Sequence, residues 1–235
     1  MDTKKSLYEI IADELENLIV NDSSQIEQKL PSENILATSF GVSRPVIREA
    51  IKLLKERGII SLRQGSASVI SRPGVETIIN PVKRMILFEN ITPQQVYEMR
   101  MILEISSIRL ASHNVTDEDI AELEVISEKM LKADSYGHER TELDIKFHTK
   151  IAEMSNNPLL KIFIESISTL IYSTIKPSLL AESPKDHAHQ LLIECLKSGS
   201  EEACVTTMRK HLLNSMRNFQ TVSDLAEGKK DDIIC

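Results

Sequence analysis

The sequence predicts a mainly α protein built in two parts, a small helical module ending in a β-hairpin and a larger all-helical bundle. Three observations carry this expectation. The chain has 235 residues, more than the ~100–150 of an ordinary domain. It has only 7 glycines and no tryptophan, and its apolar residues recur mostly at helical spacings of three and four. One stretch, residues 59–71, is β-prone instead and holds a turn signal.

Taken in order, Leu7, Ile10, Ile11, Leu15, Leu18 and Ile19 recur at helical spacing, predicting a first helix over residues 7–20. Pro31 breaks the chain and Ser32 is placed to cap. Ile35, Leu36, Ala37 and Phe40 then form one side of a short second helix that Gly41 ends. A third helix is capped by Ser43 and carries Pro45 in its first turn, where a missing N–H costs nothing. Its apolar stripe is Val46, Ile47, Ala50, Ile51, Leu53 and Leu54, and Gly58 closes it. Residues 59–63 and 66–71 read as two strands joined through Gln64-Gly65. Three helices and a hairpin in this order make residues 1–72 a winged helix-turn-helix.

Arg72-Pro73-Gly74, Pro81 and Asn90-Ile91-Thr92-Pro93 punctuate residues 73–91, which read as a linker. Residues 92–225 carry helical patterns only, at about 93–112, 117–133, 140–154, 158–175, 185–196 and 201–225. Thr92, Thr116, Asn157 and Ser200 are their candidate N-caps. The final residues, 226–235, have little to bury and are expected to fray.

Composition excludes several classes. Hydrophobic residues make up 41% and charged residues 27%, too apolar for a disordered chain. The most apolar stretch, Leu159–Ile175, contains Lys161 and Glu165, so no uncharged run of about 18 residues could span a membrane. The N-terminus is acidic and amphipathic rather than signal-like, which places the chain in the cytoplasm. Cys195, Cys204 and Cys235 suit neither a disulfide framework nor a zinc knuckle and read as reduced thiols.

A net charge of −7 argues against nucleic acid only if charge is spread evenly. It is not. Residues 1–72 hold 10 basic and 10 acidic residues, leaving 18 and 25 for the remainder, so the whole deficit of −7 lies beyond residue 72. Within residues 41–63, Arg44, Arg48, Lys52, Lys55, Arg57 and Arg63 face only Glu49 and Glu56. A basic patch therefore sits on the third helix and the wing.

Pro31-Ser32-Glu33, Leu36-Ala37, Gly41-Val42-Ser43-Arg44, Arg48-Glu49-Ala50, Leu54, Gly58 and Gly65 follow one another without insertion. This run resembles the DNA-binding domain of the GntR family of bacterial transcription regulators. In a helix-turn-helix the start of the recognition helix meets base edges in the major groove. Ser43 and Arg44 begin that helix and Arg48 lies one turn on, on the same face. A guanidinium can read guanine in a bidentate manner, while Lys52 suits phosphate. Ser32 can donate to a phosphate from a helix N-terminus, and Gln64-Gly65 form a wing tip narrow enough for the minor groove. Where many relatives carry an arginine after Pro-Ser-Glu, this chain has Asn34.

In the second part, Asp144 and His148 share a helix face at i and i+4, and His189 and His211 lie on later helices. Such a set suits a borderline divalent metal. Tyr97-Glu98-Met99-Arg100 with Glu104, Asp144-x3-His148, Ser155-Asn156-Asn157-Pro158-Leu159-Leu160, and His189 with His211-Leu212 resemble the FCD effector domain of the FadR-like branch of that family. The resemblance implies a metal held by Asp144, His148, His189 and His211, with zinc expected first and nickel, manganese or iron also compatible. His187 is the rival for the place of His189. Arg100 pairs most simply with Glu104 at i+4, and its sharper role is to clamp a carboxylate effector.

The expected function is a ligand-responsive regulator and not an enzyme. A homodimer would read a pseudo-palindromic operator in double-stranded DNA, while the helical part binds a metal and a small organic acid. The alternatives are a metal-dependent enzyme using the Asp/His3 set and a regulator whose metal is purely structural.

Overall fold

The structure, a computed structural model, describes residues 5–22, 25–62, 68–133, 138–174 and 187–231. Among them are ten helices and one two-stranded antiparallel sheet, the mainly α class expected. The chain divides into two compact units, Met1–Asn80 and Pro81–Cys235.

The first unit contains α1 (Leu7–Asn21), α2 (Glu33–Phe40), α3 (Arg44–Glu56), β1 (Ile60–Leu62) and β2 (Ser68–Ile70). The Glu9 carboxylate accepts from Ser6 N and Oγ, both at 2.7 Å, which starts α1 by satisfying an otherwise free backbone donor. Of the apolar positions expected to bury, Ile11, Leu15 and Ile19 do so, whereas Leu7, Ile10 and Leu18 are about half exposed. Positions 11, 15 and 19 are successive turns of one stripe and meet α3; the others turn away from it. Ile47, Ala50, Ile51 and Leu54 of α3 complete this core with Leu36, Ile59, Ile60 and Ile70.

Two glycines close helices in this unit with positive φ, Gly41 at 64° and Gly58 at 75°. A Cβ on Gly58 would come within 2.8 Å of the Thr77 side chain, so both backbone and space require glycine there. Arg57 Nη1 pairs with Asp13 at 2.7 Å and Glu16 at 2.6 Å, tying the end of α3 to α1. The hairpin pairs Ile60 with Ile70, Ser61 with Val69 and Leu62 with Ser68. A third segment joins it: Ile70 N donates to Gln28 O, and Leu30 N to Ser68 O, both at 2.9 Å. This pairing is too short to leave an alternating pattern in the sequence. The residues between the strands, 63–67, with the expected wing-tip pair Gln64 and Gly65, lie outside the described residues.

The stretch expected to be a linker is mostly helical, as α4 (Glu76–Glu89). Pro81 lies inside this helix and only Ile79 is buried. Pro81 concealed it by reading as a break, although Ile78, Ile79, Val82, Met85 and Ile86 recur at helical spacing. In the second unit follow α5 (Pro93–Ala111), α6 (Asp117–Lys132), α7 (His138–Met154), α8 (Pro158–Thr174), α9 (Ala188–Ser198) and α10 (Glu201–Asp231). The four N-caps act as expected. Thr92 accepts from Gln95 N, Thr116 from Asp119 N, Asn157 from Leu159 N and Ser200 from Ala203 N.

Helix α10 runs on to Asp231, past residue 225 where fraying was expected. Ala226, Glu227, Lys229 and Lys230 have good intrinsic helix propensity, which needs no burial to act. Residues 232–235 lie outside the described residues.

Helix α5 packs against α7, α8 and α10, while α6 packs against α7 and α9. Their shared core holds Ile108, Leu123, Phe147, Ile151, Leu192, Leu196, Met208 and Leu212. Within this unit Arg100, Glu104, His148 and His189 are also buried. Charged groups removed from water must be paired or ligated, and these four lead to the site.

Candidate metal centre and nucleic-acid interface

Helix α7 presents Asp144 and His148 one turn apart, α9 contributes His189 in its first turn, and α10 contributes His211. The candidate ligand atoms of these four side chains all lie within 4.8 Å of one another. His189 Nε2 is 3.0 Å from Asp144 Oδ1, and His148 Nε2 is 3.8 Å from the same oxygen. His148 Nε2 and His211 Nε2 face each other at 3.2 Å. His187, the rival for the place of His189, is exposed and contacts Gln190 instead.

The neighbouring groups fix how this cluster is presented. His148 Nδ1 is in ion-pair contact with Glu104 Oε2, and Glu104 Oε1 accepts from Arg100 Nε. Tyr172 of α8 donates its hydroxyl to Asp144 Oδ2, leaving Oδ1 turned toward the histidines. Burial alone would raise the Glu104 carboxyl, but Arg100 and His148 hold it down to about 2. Burial also works against ionised Asp144, and His148, His189 and Arg100 overcome it, keeping the carboxyl well below its ordinary range. Burial, with Asp144 next in importance, keeps the Tyr172 phenol protonated. His211 is pushed well below the ordinary imidazole range by burial and then by His189 and His148. The result is an anionic carboxylate and a neutral imidazole, the forms in which these side chains bind metal.

The donor set fits a divalent ion. A carboxylate oxygen and three imidazole nitrogens converge from three helices at spacings a single small cation can bridge, with Phe147 closing one side edge-on at 4.7 Å from the His189 ring. Arg100 is 2% exposed. Its Nη2 lies 3.7 Å from Asp144 Oδ2, and neither Nη1 nor Nη2 has a hydrogen-bond partner among the described residues. The guanidinium therefore holds two unused donor groups beside the cluster. Sequence reasoning placed Glu104 only as an ion-pair partner of Arg100 and gave Tyr172 no role. A glutamate at i+4 from arginine was the available signal for Glu104; nothing local marks Tyr172, which reaches Asp144 across 28 positions.

In the first unit, Ser43 is the N-cap of α3 and makes no capping hydrogen bond with its side chain. Arg44 and Arg48 follow on one exposed face, with side chains 59% and 56% exposed. Both turn toward Glu33 of α2, Arg48 Nη2 at 3.2 Å and Arg44 Nη2 at 3.9 Å. Lys52 pairs with Glu49 at 2.7 Å. Ser32 caps α2 by accepting from Ile35 N at 3.4 Å. Ser32, Ser43, Arg44, Arg48 and Lys52 thus all lie on α2 and α3 or at their starts, while Gln64 and Gly65 are not among the described residues.

No helix among the described residues is long and apolar enough to cross a membrane. Residues 7–70 match the family of bacterial regulatory proteins described as the gntR family, and residues 95–214 match the FCD domain. The HTH-type transcriptional repressor NanR of Citrobacter rodentium is 27% identical over 239 residues, an alignment covering 97% of this chain and 90% of that protein. NanR of Salmonella newport is 28% identical over 223 residues, covering 89% and 84%. The solved structure of Streptococcus agalactiae GntR is similar with a TM-score of 0.70 at 27% identity, covering 89% of this chain and 98% of that one. Relatives of this kind are regulators and not enzymes. A helix-turn-helix with its arginines outermost, followed by a helical unit that gathers an Asp/His3 cluster, places the chain in the GntR family of bacterial transcription regulators, with an FCD domain as its C-terminal part.

Proposed function

We propose that this chain is a cytoplasmic, ligand-responsive repressor that binds a pseudo-palindromic operator as a homodimer and senses a small carboxylate at a divalent metal. The observation that carries the reading is the convergence of Asp144, His148, His189 and His211 within 4.8 Å, beside an arginine whose terminal nitrogens make no hydrogen bond among the described residues. Asp144, His148, His189 and His211 would hold the metal, zinc first and nickel, manganese or iron as alternatives, which would supply Lewis-acid attraction for the carboxylate of the acid. Arg100 orients the same carboxylate through its free N–H groups, a pairing that guanidinium geometry favours.

On the DNA side, Arg44 and Arg48 read base edges while Ser32, Ser43, Lys52 and the wing pair Gln64-Gly65 hold backbone phosphates and the adjoining groove. Repression is favoured by the repressor named in the two curated relatives. Effector binding must prefer one spacing of the two reading heads, because equal affinity for both would shift nothing.

The test is a titration of zinc-loaded protein with a panel of small organic acids, following thermal transition and operator binding together. One acid should raise the transition and change operator affinity only when metal is present. Stabilisation by metal but by no acid would leave a structural ion, and turnover of any acid would make the site catalytic.

A further inference from the structure

Glu104 is buried to 1% exposure on α5 and lies outside the Asp/His set. Its two oxygens serve different neighbours. Oε1 takes the Arg100 Nε–H, and Oε2 meets His148 Nδ1. The two atoms are in close contact without meeting hydrogen-bond geometry, and neither has a hydrogen-bond partner among the described residues.

This contact decides which nitrogen of His148 is free. An ionised carboxylate only accepts, so the proton between the two groups belongs to Nδ1. An imidazole that ligates a metal keeps only one N–H, so with that proton on Nδ1 the lone pair is on Nε2. That nitrogen is the one facing His211 Nε2 at 3.2 Å and Asp144 Oδ1 at 3.8 Å. The opposite tautomer would aim the Nδ1 lone pair at the Glu104 carboxylate, a repulsion in a buried place, and would cover with a proton the nitrogen that faces the cluster. Arg100 sustains the arrangement, because its Nε–H on Oε1 holds the carboxylate in place and supplies its counter-charge.

We propose that Glu104 is a positioning residue that locks His148 in its Nδ1–H tautomer and so presents Nε2 for metal ligation. The assignment rests on the metal reading above. Outer partners of ligating histidines set ring orientation and basicity, and their loss typically weakens metal binding about 10- to 100-fold.

Two measurements on the full chain test it. Long-range proton–nitrogen NMR of the metal-free protein should find His148 protonated at Nδ1, assigned by its loss in His148→Ala. In Glu104→Gln, which keeps the shape but can turn its amide donor toward Nδ1, the Nε2–H form should appear and zinc affinity should fall about 10- to 100-fold. A change that only loosened the fold would lower the thermal transition without altering the tautomer. If Glu104→Gln leaves Arg100 unpaired and the chain unfolded, Arg100→Met with Glu104→Gln removes both buried charges and takes the same readouts.

Wild-type His148 protonated at Nε2 would overturn the role of Glu104, as would unchanged zinc affinity in a folded variant. A wild-type chain with the Nδ1–H tautomer that binds neither zinc, nickel, manganese nor iron would instead overturn the metal reading, and the two failures are told apart by the NMR result alone.

Discussion

His148 Nε2 and His211 Nε2 stand 3.2 Å apart, on rings whose planes differ by only 24°. With His148 Nδ1 turned to Glu104 and burial disfavouring the charged form of His211, two lone pairs can confront each other unless something positive lies between them. A metal ion shared by both rings resolves that conflict. Replacing His148 or His211 by alanine should therefore reduce bound metal well below one ion per chain, measured by elemental analysis after purification. Full occupancy in either variant would remove that residue from the site.

Acid should unfold the metal-free chain in two stages. His211 is held below its ordinary value, so between its folded and unfolded pKa the unfolded state binds more protons; its stabilising contribution is complete above about pH 6.5 and shrinks as pH falls. Glu104 behaves likewise but lower: its contribution is present above 4.5 and is lost as pH falls toward about 2, amounting to about 3 kcal/mol. Urea unfolding at several pH values reads both. Equal stability at about pH 7 and pH 5 would contradict a neutral, buried His211.

Arg44→Ala and Arg48→Ala should each cost about 1–3 kcal/mol in operator discrimination and together abolish preference over random duplex. The thermal transition should hardly move, because the contacts with Glu33 are exposed and screened by solvent. Competition binding against nonspecific DNA measures the first and calorimetry the second. Retained sequence preference in the double variant would sink the recognition role.

Specific binding should also fall steeply between dilute and physiological salt, since each neutralised phosphate releases a counterion. Lys52→Ala should make that slope shallower by about one unit while leaving sequence preference intact. A slope unchanged by the substitution would free Lys52 from any phosphate.

Phe147 is fully buried, with its ring edge-on to both His148 and His189. Phe147→Ala should destabilise the helical unit by about 3–5 kcal/mol. It should also weaken metal binding, because the cavity lets two ligating rings relax. Denaturant unfolding and metal titration on the same preparation check both parts.

How much of this was legible in the sequence depended on the range of each interaction. Caps such as Thr116 with Asp119 act over three residues, and the glycines at 41 and 58 mark helix ends locally, so these were readable. Asp144 with His148 announced one face of α7, but only resemblance to a known domain joined them to His189 and His211, which are brought in by packing. Helix α4 escaped because Pro81, inside it, reads as a break between elements. Tyr172 escaped because its partner is distant in sequence and it belongs to no local pattern, and the contact of Glu33 with Arg48 escaped because it spans 15 positions between two helices.

The placement of Glu33 has a consequence for selectivity. A carboxylate held beside Arg48 and Arg44 repels phosphate, so an incoming duplex meets these arginines already engaged with a negative group. Leaving Glu33 is worthwhile for a guanidinium when a neutral base edge offers two well-aimed acceptors; a lone phosphate must also approach the acid. On the proposed role of Arg44 and Arg48 the acidic neighbour would act as a filter, discouraging idle attachment along the backbone and reserving the two arginines for the groove.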